Sequence, residues 1–480
     1  ENLTIENCTS QYGSSVVYAY STHSGYTTTA TMNDSVTIKN NDFKDYAYQG
    51  LYFRGYKNVR ILNNTIHQRS TGGYTYPVGV YLYYCDLIDV VGNDIDLYNG
   101  SGTYSQGLYL YYCDGSSTNR NLIANNMVSK GTNSSTSSGH SDHIYYCNYS
   151  DVVYNSWYAK YNYNTTSYGI VRLYYGTSVQ FSNNSIFNDG GGNAYCIRVY
   201  GSPTEKNNNY YNTNTARRRY PTTGGTGNVA VDPAYVSTSD LHSNAIGMYK
   251  KASPLTIVTD DIDGDSRHAT TPSIGADEFI IPARDASPSE VVYNTACAGI
   301  VPIKAKIKNF GLDSLTSFSV NWWVTTNTGS PVGQTAFSYT GLLNAGADTV
   351  LSLGNISMND TSSYTIMVVT SSPNGSTDQK TENDTVSRTI NTGISGTFTV
   401  GSGGDYATVG AAITALQAKG MCSDVTLNVL SGTYTQRVTI QNIEGTDMHN
   451  LTIKAAPSAT TKPVLRYNSD FVIKLTDSKN

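Results

Sequence analysis

Gly107-Leu108-Tyr109-Leu110-Tyr111-Tyr112-Cys113-Asp114 is one occurrence of a phrase that the first half of the chain repeats. It stands earlier as Gly79-Val80-Tyr81-Leu82-Tyr83-Tyr84-Cys85-Asp86 and, shortened, as Gly50-Leu51-Tyr52-Phe53. It stands later as Gly139-His140-Ser141-Asp142-His143-Ile144-Tyr145-Tyr146-Cys147-Asn148 and as Gly169-Ile170-Val171-Arg172-Leu173-Tyr174-Tyr175-Gly176. The leading glycines are 29, 28, 32 and 30 residues apart. A second phrase follows each first at a steady lag, as in Val59-Arg60-Ile61-Leu62-Asn63-Asn64, Val90-Val91-Gly92-Asn93 and Leu122-Ile123-Ala124-Asn125-Asn126. Self-similarity at such a period marks a solenoid. The units alternate apolar and polar residues with period two and are rich in Tyr, Val, Ile, Thr and Asn, which excludes helical repeats.

Short alternating runs broken by Gly and Asn suit one turn of a right-handed parallel β-helix, each turn stacked on the last at roughly 4.8 Å. Equivalent residues then form ladders along the axis. Asn64, Asn93, Asn126, Asn155 and Asn184 fit an inward ladder at a corner, where amides bond to one another and to turn backbone. Cys85, Cys113 and Cys147 fit a second ladder of small buried side chains. Tyr83, Tyr111, Tyr145 and Tyr174 fit a third, a candidate carbohydrate surface with flat apolar rings and polar tips. Against that use stands simple packing of the rings between coils.

Composition sets the bounds. At 480 residues more than one domain is expected. Charged residues make up 14% and the formal net charge is −5, which points to neither nucleic acid nor a membrane surface as partner. No apolar run approaches the length of a membrane span. Seven scattered cysteines do not form the spacing of a disulfide framework, and no Cys-x-x-Cys pair suggests zinc.

In chain order, residues 1–227 are expected to be β-helix coils, ending in a polar loop with the basic cluster Arg217-Arg218-Arg219, which reads as solvated. Residues 228–281 close the solenoid. Asn228-Val229-Ala230-Val231-Asp232-Pro233, Thr259-Asp260-Asp261-Ile262-Asp263-Gly264-Asp265 and Ile274-Gly275-Ala276-Asp277-Glu278-Phe279 follow one another there. In that order they resemble the tail of right-handed parallel β-helix repeat proteins secreted by bacteria of the Bacteroidetes type. Asp261, Asp263 and Asp265 alternate as calcium ligands do, though no bidentate Glu follows at the EF-hand spacing. A turn in a structural cap is the competing reading, and no other cofactor is indicated.

Residues 282–391 change character. Val301 to Lys308, Ser317 to Val324 and Tyr364 to Val369 read as strands of an immunoglobulin-like β-sandwich. With Asn309-Phe310-Gly311 and Asn383-Asp384-Thr385-Val386, this stretch resembles the bacterial cell-adhesion-related (CARDB-like) sandwich modules. Trp322 and Trp323 fall on opposite faces. Residues 392–480 read as a fresh start: Val409 to Lys419 is an amphipathic helix with Ala412, Ile413, Leu416 and Ala418 on its apolar side, stopped by Gly420. Strands follow it, and the segment resembles the N-terminal cap of the same β-helix family. The fold class is therefore all-β, a right-handed parallel β-helix plus an immunoglobulin-like sandwich and one short capping helix.

Phe471-Val472-Ile473-Lys474-Leu475 reads as a first phrase and Leu3-Thr4-Ile5 as a second. Joined through Asn480 and Glu1, they compose one coil. Phe471, Ile473, Leu475, Leu3 and Ile5 are thus the expected junction between identical units, in tandem or head to tail, in an extracellular or cell-surface filament or adhesin. The resemblance implies secretion, and Asp-Ser/Thr-aliphatic triplets resemble the O-glycosylation motif of the same bacteria, at Ser35, Ser314, Thr349 and Thr385, so covalent glycans are expected. The competing function is a polysaccharide lyase or glycosidase, since paired carboxylates are what such chemistry needs. Its candidates are Asp86, Asp114, Asp142, His140, His143, Arg54 and Arg172, with His140-Ser141-Asp142-His143 the densest cluster. Asp86 and Asp114 recur at equivalent positions, as a turn ladder would, and no catalytic residue is assigned. An extracellular polysaccharide remains a candidate partner.

Overall fold

The computed structural model describes residues 2–21, 32–71, 74–97, 105–131, 141–160, 169–190, 193–326, 329–359, 363–468 and 470–476. The chain divides into two compact units, Glu1–Ile280 and Ile281–Asn480.

The first unit is a right-handed β-solenoid. Three eight-stranded sheets run its length, every pairing parallel and every strand bonded to its equivalents one coil away. Each coil visits the sheets in turn. In the fourth coil these are Asp89–Val91 in the first sheet, Asp94–Leu97 in the second and Gln106–Tyr111 in the third. The first repeated phrase forms the third sheet, the second forms the first, and the short run after the asparagine forms the second. Alternation decides what is inside: in Gln106–Tyr111 the side chains of Leu108 and Leu110 are buried and those of Tyr109 and Tyr111 are half-buried on the outer face. The core is one continuous column from Val36 to Tyr210.

Two corners share one device. At each, a residue in the left-handed region turns the chain and the next side chain points inward. Before the inward asparagines stand Asn63 (φ 53°), Gly92 (φ 70°), Asn125 (φ 54°) and Asn183 (φ 62°). Before the inward cysteines stand Tyr84, Tyr112 and Tyr146, with φ of 52°, 52° and 51°. Asn and Gly tolerate that conformation cheaply, whereas tyrosine does so only where packing holds it.

Two stretches differ from the sequence reading. Thr226 to Val229 adds a last partial coil, bridging Lys206 and Asn209. The segment after it runs back outside the corner between the first two sheets. Tyr154 and Asn183 donate to the Ser253 carbonyl (2.7 and 2.9 Å), Arg267 Nη2 donates to Asn125 Oδ1 (2.8 Å), and the Ala276 amide donates to Ser156 Oγ (2.9 Å). It is a strap more than an end plug, because the outward polar groups of that corner need partners. The basic cluster is not solvated either. Arg219 is buried against Glu205, Arg217 donates to the Tyr195 hydroxyl (2.6 Å), and Arg218 lies over Tyr211.

The second unit holds two antiparallel sheets and then parallel ones. Ala286–Val292, Gly299–Asn309 and Asp348–Met358 form one sheet. Leu315–Thr326, Ser363–Ser371 and Thr385–Asn391, with the short strand Val332–Gly333 and with Phe337–Leu343, form the facing one. Between them lies a core containing Ile303, Phe318, Trp322 and Ile366. Trp322 is buried and donates to the Thr335 carbonyl, while Trp323 faces outward. From Ile394 the pairing turns parallel again, on three faces: Ile394–Val400 with Met421–Val429 and Leu451–Ala455, Thr433–Thr435 with Val464–Arg466, and Val438–Ile440 with Ile473–Leu475. The helix Val409–Lys419, capped by Thr408 and ended by Gly420 at φ 73°, buries Val409, Ala412, Ile413 and Leu416 on this stack. Ala418 is exposed, because two residues beyond Leu416 a helix has turned about 200°. One disulfide, Cys297–Cys422, ties the sandwich to the second stack. The sequence reading missed it, since nothing local announces a pairing 125 residues apart.

Candidate functional site

The inner ladder is a closed hydrogen-bond chain. Each asparagine Oδ1 accepts two bonds from the asparagine one coil before it, from backbone N–H and from Nδ2: Asn64 to Asn93 at 3.0 and 3.0 Å, Asn93 to Asn126 at 3.1 and 2.9 Å, Asn126 to Asn155 at 3.0 and 2.8 Å, Asn155 to Asn184 at 3.0 and 3.0 Å. The other amide proton goes to a strand carbonyl, such as Val90 for Asn126. Asn41, Asn208 and Asn228 extend the ladder, which the sequence reading left out. The doubled Asn40-Asn41 and Asn207-Asn208 were the available signal. Cys85, Cys113 and Cys147 are fully buried, and each thiol points at a carbonyl one coil earlier (Phe53, Leu82, Leu110). Burial raises the Cys85 thiol to about 12 and pushes Cys113 well above the usual range, so neither is a nucleophile at neutral pH.

The catalytic candidates separate. Asp142 and His143 alternate, so they lie on opposite faces of the third sheet. The Asp142 carboxylate is inside, wholly buried, accepting from Lys130 Nζ (2.6 Å), the Gly107 amide (2.8 Å) and Trp157 Nε1 (2.9 Å). Every oxygen is engaged in holding the core. Burial lowers the Lys130 pKa, and the Asp142 charge opposes that. His143 is outside, its ring 5.1 Å from that of Tyr109, in a row with Arg172. Asp86 Oδ1 accepts from the Asp114 amide (3.2 Å), and Asp114 Oδ1 from the Asn148 amide and Nδ2 (3.1 and 2.8 Å). These carboxylates form a turn ladder. Arg54 lies 5.2 Å over the Tyr83 ring. His140, Glu1 and Asn480 lie outside the described residues.

The calcium candidates also part. Asp261 Oδ1 accepts the amides of Asp263 and Asp265 (2.9 and 2.8 Å), and Oδ2 that of Glu278 (2.9 Å). Asp263 turns instead to His242. Among the described residues, the groups of three acidic or histidine side chains whose oxygens or nitrogens converge are His242, Asp263 and Asp277, and Asp285, Asp378 and Asp384.

The outer face of the third sheet is the candidate binding surface. Register places Tyr18, Tyr52, Tyr81, Tyr109, His143, Arg172, Arg198 and Tyr220 in one row, and Tyr20, Arg54, Tyr83, Tyr111, Tyr145, Tyr174 and Tyr200 in the next. Tyr84, Tyr112, Tyr146 and Tyr175 make a third at the corner, which the repeated Tyr-Tyr doublet signals. The rings stack on one another: Tyr111 on Tyr145 at 4.7 Å and 5°, Tyr145 on Tyr174 at 4.6 Å and 16°, Tyr112 on Tyr146 at 5.0 Å and 2°. The faces of Tyr112, Tyr145 and Tyr146 are therefore covered by neighbouring rings on both sides, and their edges remain. Burial and adjacent phenols raise Tyr111 to about 12, so its phenol is neutral at neutral pH, and the charge on this face comes from Arg54, Arg172 and Arg198.

The triplet sites vary in access. Ser314 and Thr385 are exposed; Ser35, with its hydroxyl on Asp34, and Thr349 are half-buried. Of the junction residues, Leu3, Ile473 and Leu475 are 48%, 45% and 66% exposed on the outermost described strands of their stacks, whereas Ile5 and Phe471 are half-buried.

This architecture defines a right-handed parallel β-helix joined to an antiparallel sandwich. Residues 1–131 match the family model described as right handed beta helix region. No curated protein matches the chain. A solved structure, the CARDB domain of a Pyrococcus furiosus protein in complex with di-metal ions, is 13% identical over 24% of this chain and 94% of that one, with a TM-score of 0.19. No helix among the described residues is long and apolar enough to cross a membrane.

Proposed function

We propose that the chain is a structural unit of an extracellular or cell-surface fibre or adhesin, its β-helix stacks extended by contact with identical units in tandem or head to tail. The observation that carries this reading is the succession of modules: a parallel stack, a sandwich, and a second parallel stack with a helix packed on it. Solenoid repeats stack by nearest-neighbour contacts alone, so a stack is extended by adding coils without rebuilding what exists. The Cys297–Cys422 disulfide supports an oxidising compartment outside the cytosol. The carboxylates named for lyase or glycosidase chemistry support the structural reading, being engaged in the core and in the turn ladder.

Sedimentation and electron microscopy test it. In a covalent array the native chain has a mass several times the 52.0 kDa of this unit. In a head-to-tail polymer the isolated unit forms filaments with rising concentration, and Leu475→Asp returns it to single copies. A native chain of 52.0 kDa that sediments as a single copy at every concentration overturns the proposal.

A further inference from the structure

The sandwich carries a cluster of acidic groups that its hydrogen bonds satisfy only in part. Asp285 sits just before the strand Ala286–Val292, Asp384 just before Thr385–Asn391, and Asp378 on the loop leading to the latter. All three are buried, at 0%, 6% and 8% exposure for Asp285, Asp378 and Asp384, and an oxygen of each lies within 4.8 Å of the others. Asp378 has partners: Oδ2 accepts the Ala286 amide and Oδ1 the Lys380 amide, both at 2.9 Å. Asp384 does not. Its Oδ1 is buried with no hydrogen-bond donor. Beside it the Asn383 Nδ2 donates to both oxygens of Asp285 (3.2 and 3.0 Å), while the Asn383 Oδ1 is buried without a partner. A half-turn of that amide exchanges its two ends and presents an oxygen to the cluster.

Three carboxylates gathered in a dry place repel one another. Asp384 faces the charges of Asp378 and Asp285, and Asp285 faces that of Asp378. Lys380 acts in the opposite direction on Asp285, and Glu382 adds to the negative side. A group left without a donor in such a place costs stability unless a ligand meets it.

We propose that Asp285, Asp378 and Asp384, with the amide oxygen of Asn383, bind a calcium ion that fastens the 378–384 loop to the first strand of the sandwich. The donors are all oxygens, with no histidine or cysteine among them, which selects a hard cation over zinc or copper. Calcium accepts six to eight oxygens in flexible geometry, and carboxylates from separated segments supply that more readily than the tight octahedron of magnesium. The site is distinct from the assembly proposed above and stands without it.

Calorimetric titration of the EDTA-treated chain with CaCl2 reads binding directly, and melting in EDTA or in about 5 mM CaCl2 covers the affinity range of extracellular calcium modules. Binding at one site is expected, with a melting temperature raised by several degrees and a weaker response to MgCl2. Asp384→Asn is expected to weaken calcium at least ~10-fold. Because it removes a repelling charge, it is also expected to melt no lower than the wild type in EDTA, an outcome that a merely structural aspartate does not give. Asn383→Ala serves as the second variant, with a smaller loss of calcium affinity. No heat of binding in the wild type, or an undiminished calcium response in Asp384→Asn, overturns the site.

Discussion

The asparagine ladder and the tyrosine ladder repeat with the same period, yet they do opposite work. Inside, Asn126 engages both ends of its amide with two neighbouring coils and a strand carbonyl, in a place without water. Outside, Tyr145 is half-buried and held by rings above and below. Loss of an interior amide strands donors and acceptors, at about 1–3 kcal/mol each, whereas loss of an exterior ring forfeits contact area that water refills. Repetition thus specifies that residues stack; only their polarity and burial specify what the stack is worth.

Three experiments press on that contrast, and the largest effect belongs to a charge pair enclosed in the solenoid core. Lys130 and Asp142 are both fully buried, and Lys130 also donates to the Ile170 carbonyl (3.0 Å). Asp142→Ala leaves an ammonium unpaired in the core and should cost about 3–5 kcal/mol in denaturant unfolding. A cost near that of a surface substitution would mean that the pair is reached by water. Next comes the direct comparison of the two ladders: Asn126→Ala should cost about 3 kcal/mol and Tyr145→Ala about 1 kcal/mol. Equal losses would dissolve the distinction between an interior that specifies and an exterior that laminates.

Much of this was legible because a solenoid is a local code. The period, the inward asparagines and the inward cysteines follow from residues that recur within one coil, and an Asn next to a left-handed residue has few other uses. The face on which Asp142 lies was less plain, since the Gly139-to-Asn148 phrase departs from its neighbours and the lysine that pairs with Asp142 comes from the preceding strand. What could not be read were pairings across long separations. Arg219 finds Glu205 only because a later coil lies on an earlier one. The strap meets Asn125 through Arg267, 142 residues on. The acidic site of the sandwich is assembled from positions 285, 378 and 384, of which the sequence marked only the Asn383-Asp384 turn. Polarity patterns announce which side of a strand is wet, but not which distant carboxylates share a dry one.

The strap lies between the two regimes, polar like the inner ladder and wet like the outer, and His242 measures where it falls. Its Nδ1 faces Asp240 Oδ1 at 2.5 Å and its Nε2 faces Asp263 Oδ2 at 2.8 Å, with the Asp277 charge nearby. Burial pulls its pKa down, yet the carboxylates outweigh that and raise it from 6.5 to about 9. The folded state therefore binds the proton more tightly than the unfolded chain. The stabilisation this gives is complete below about pH 6.5 and disappears as pH rises through about 9. Because the imidazole is 38% exposed and its partners 46% and 51%, it should amount to less than about 1 kcal/mol. Melting His242→Gln beside the wild type from pH 6 upward should show a gap that closes under alkaline conditions. A gap that stays constant with pH would show that the ring is held for its shape, as the outer tyrosines are, and not for its charge.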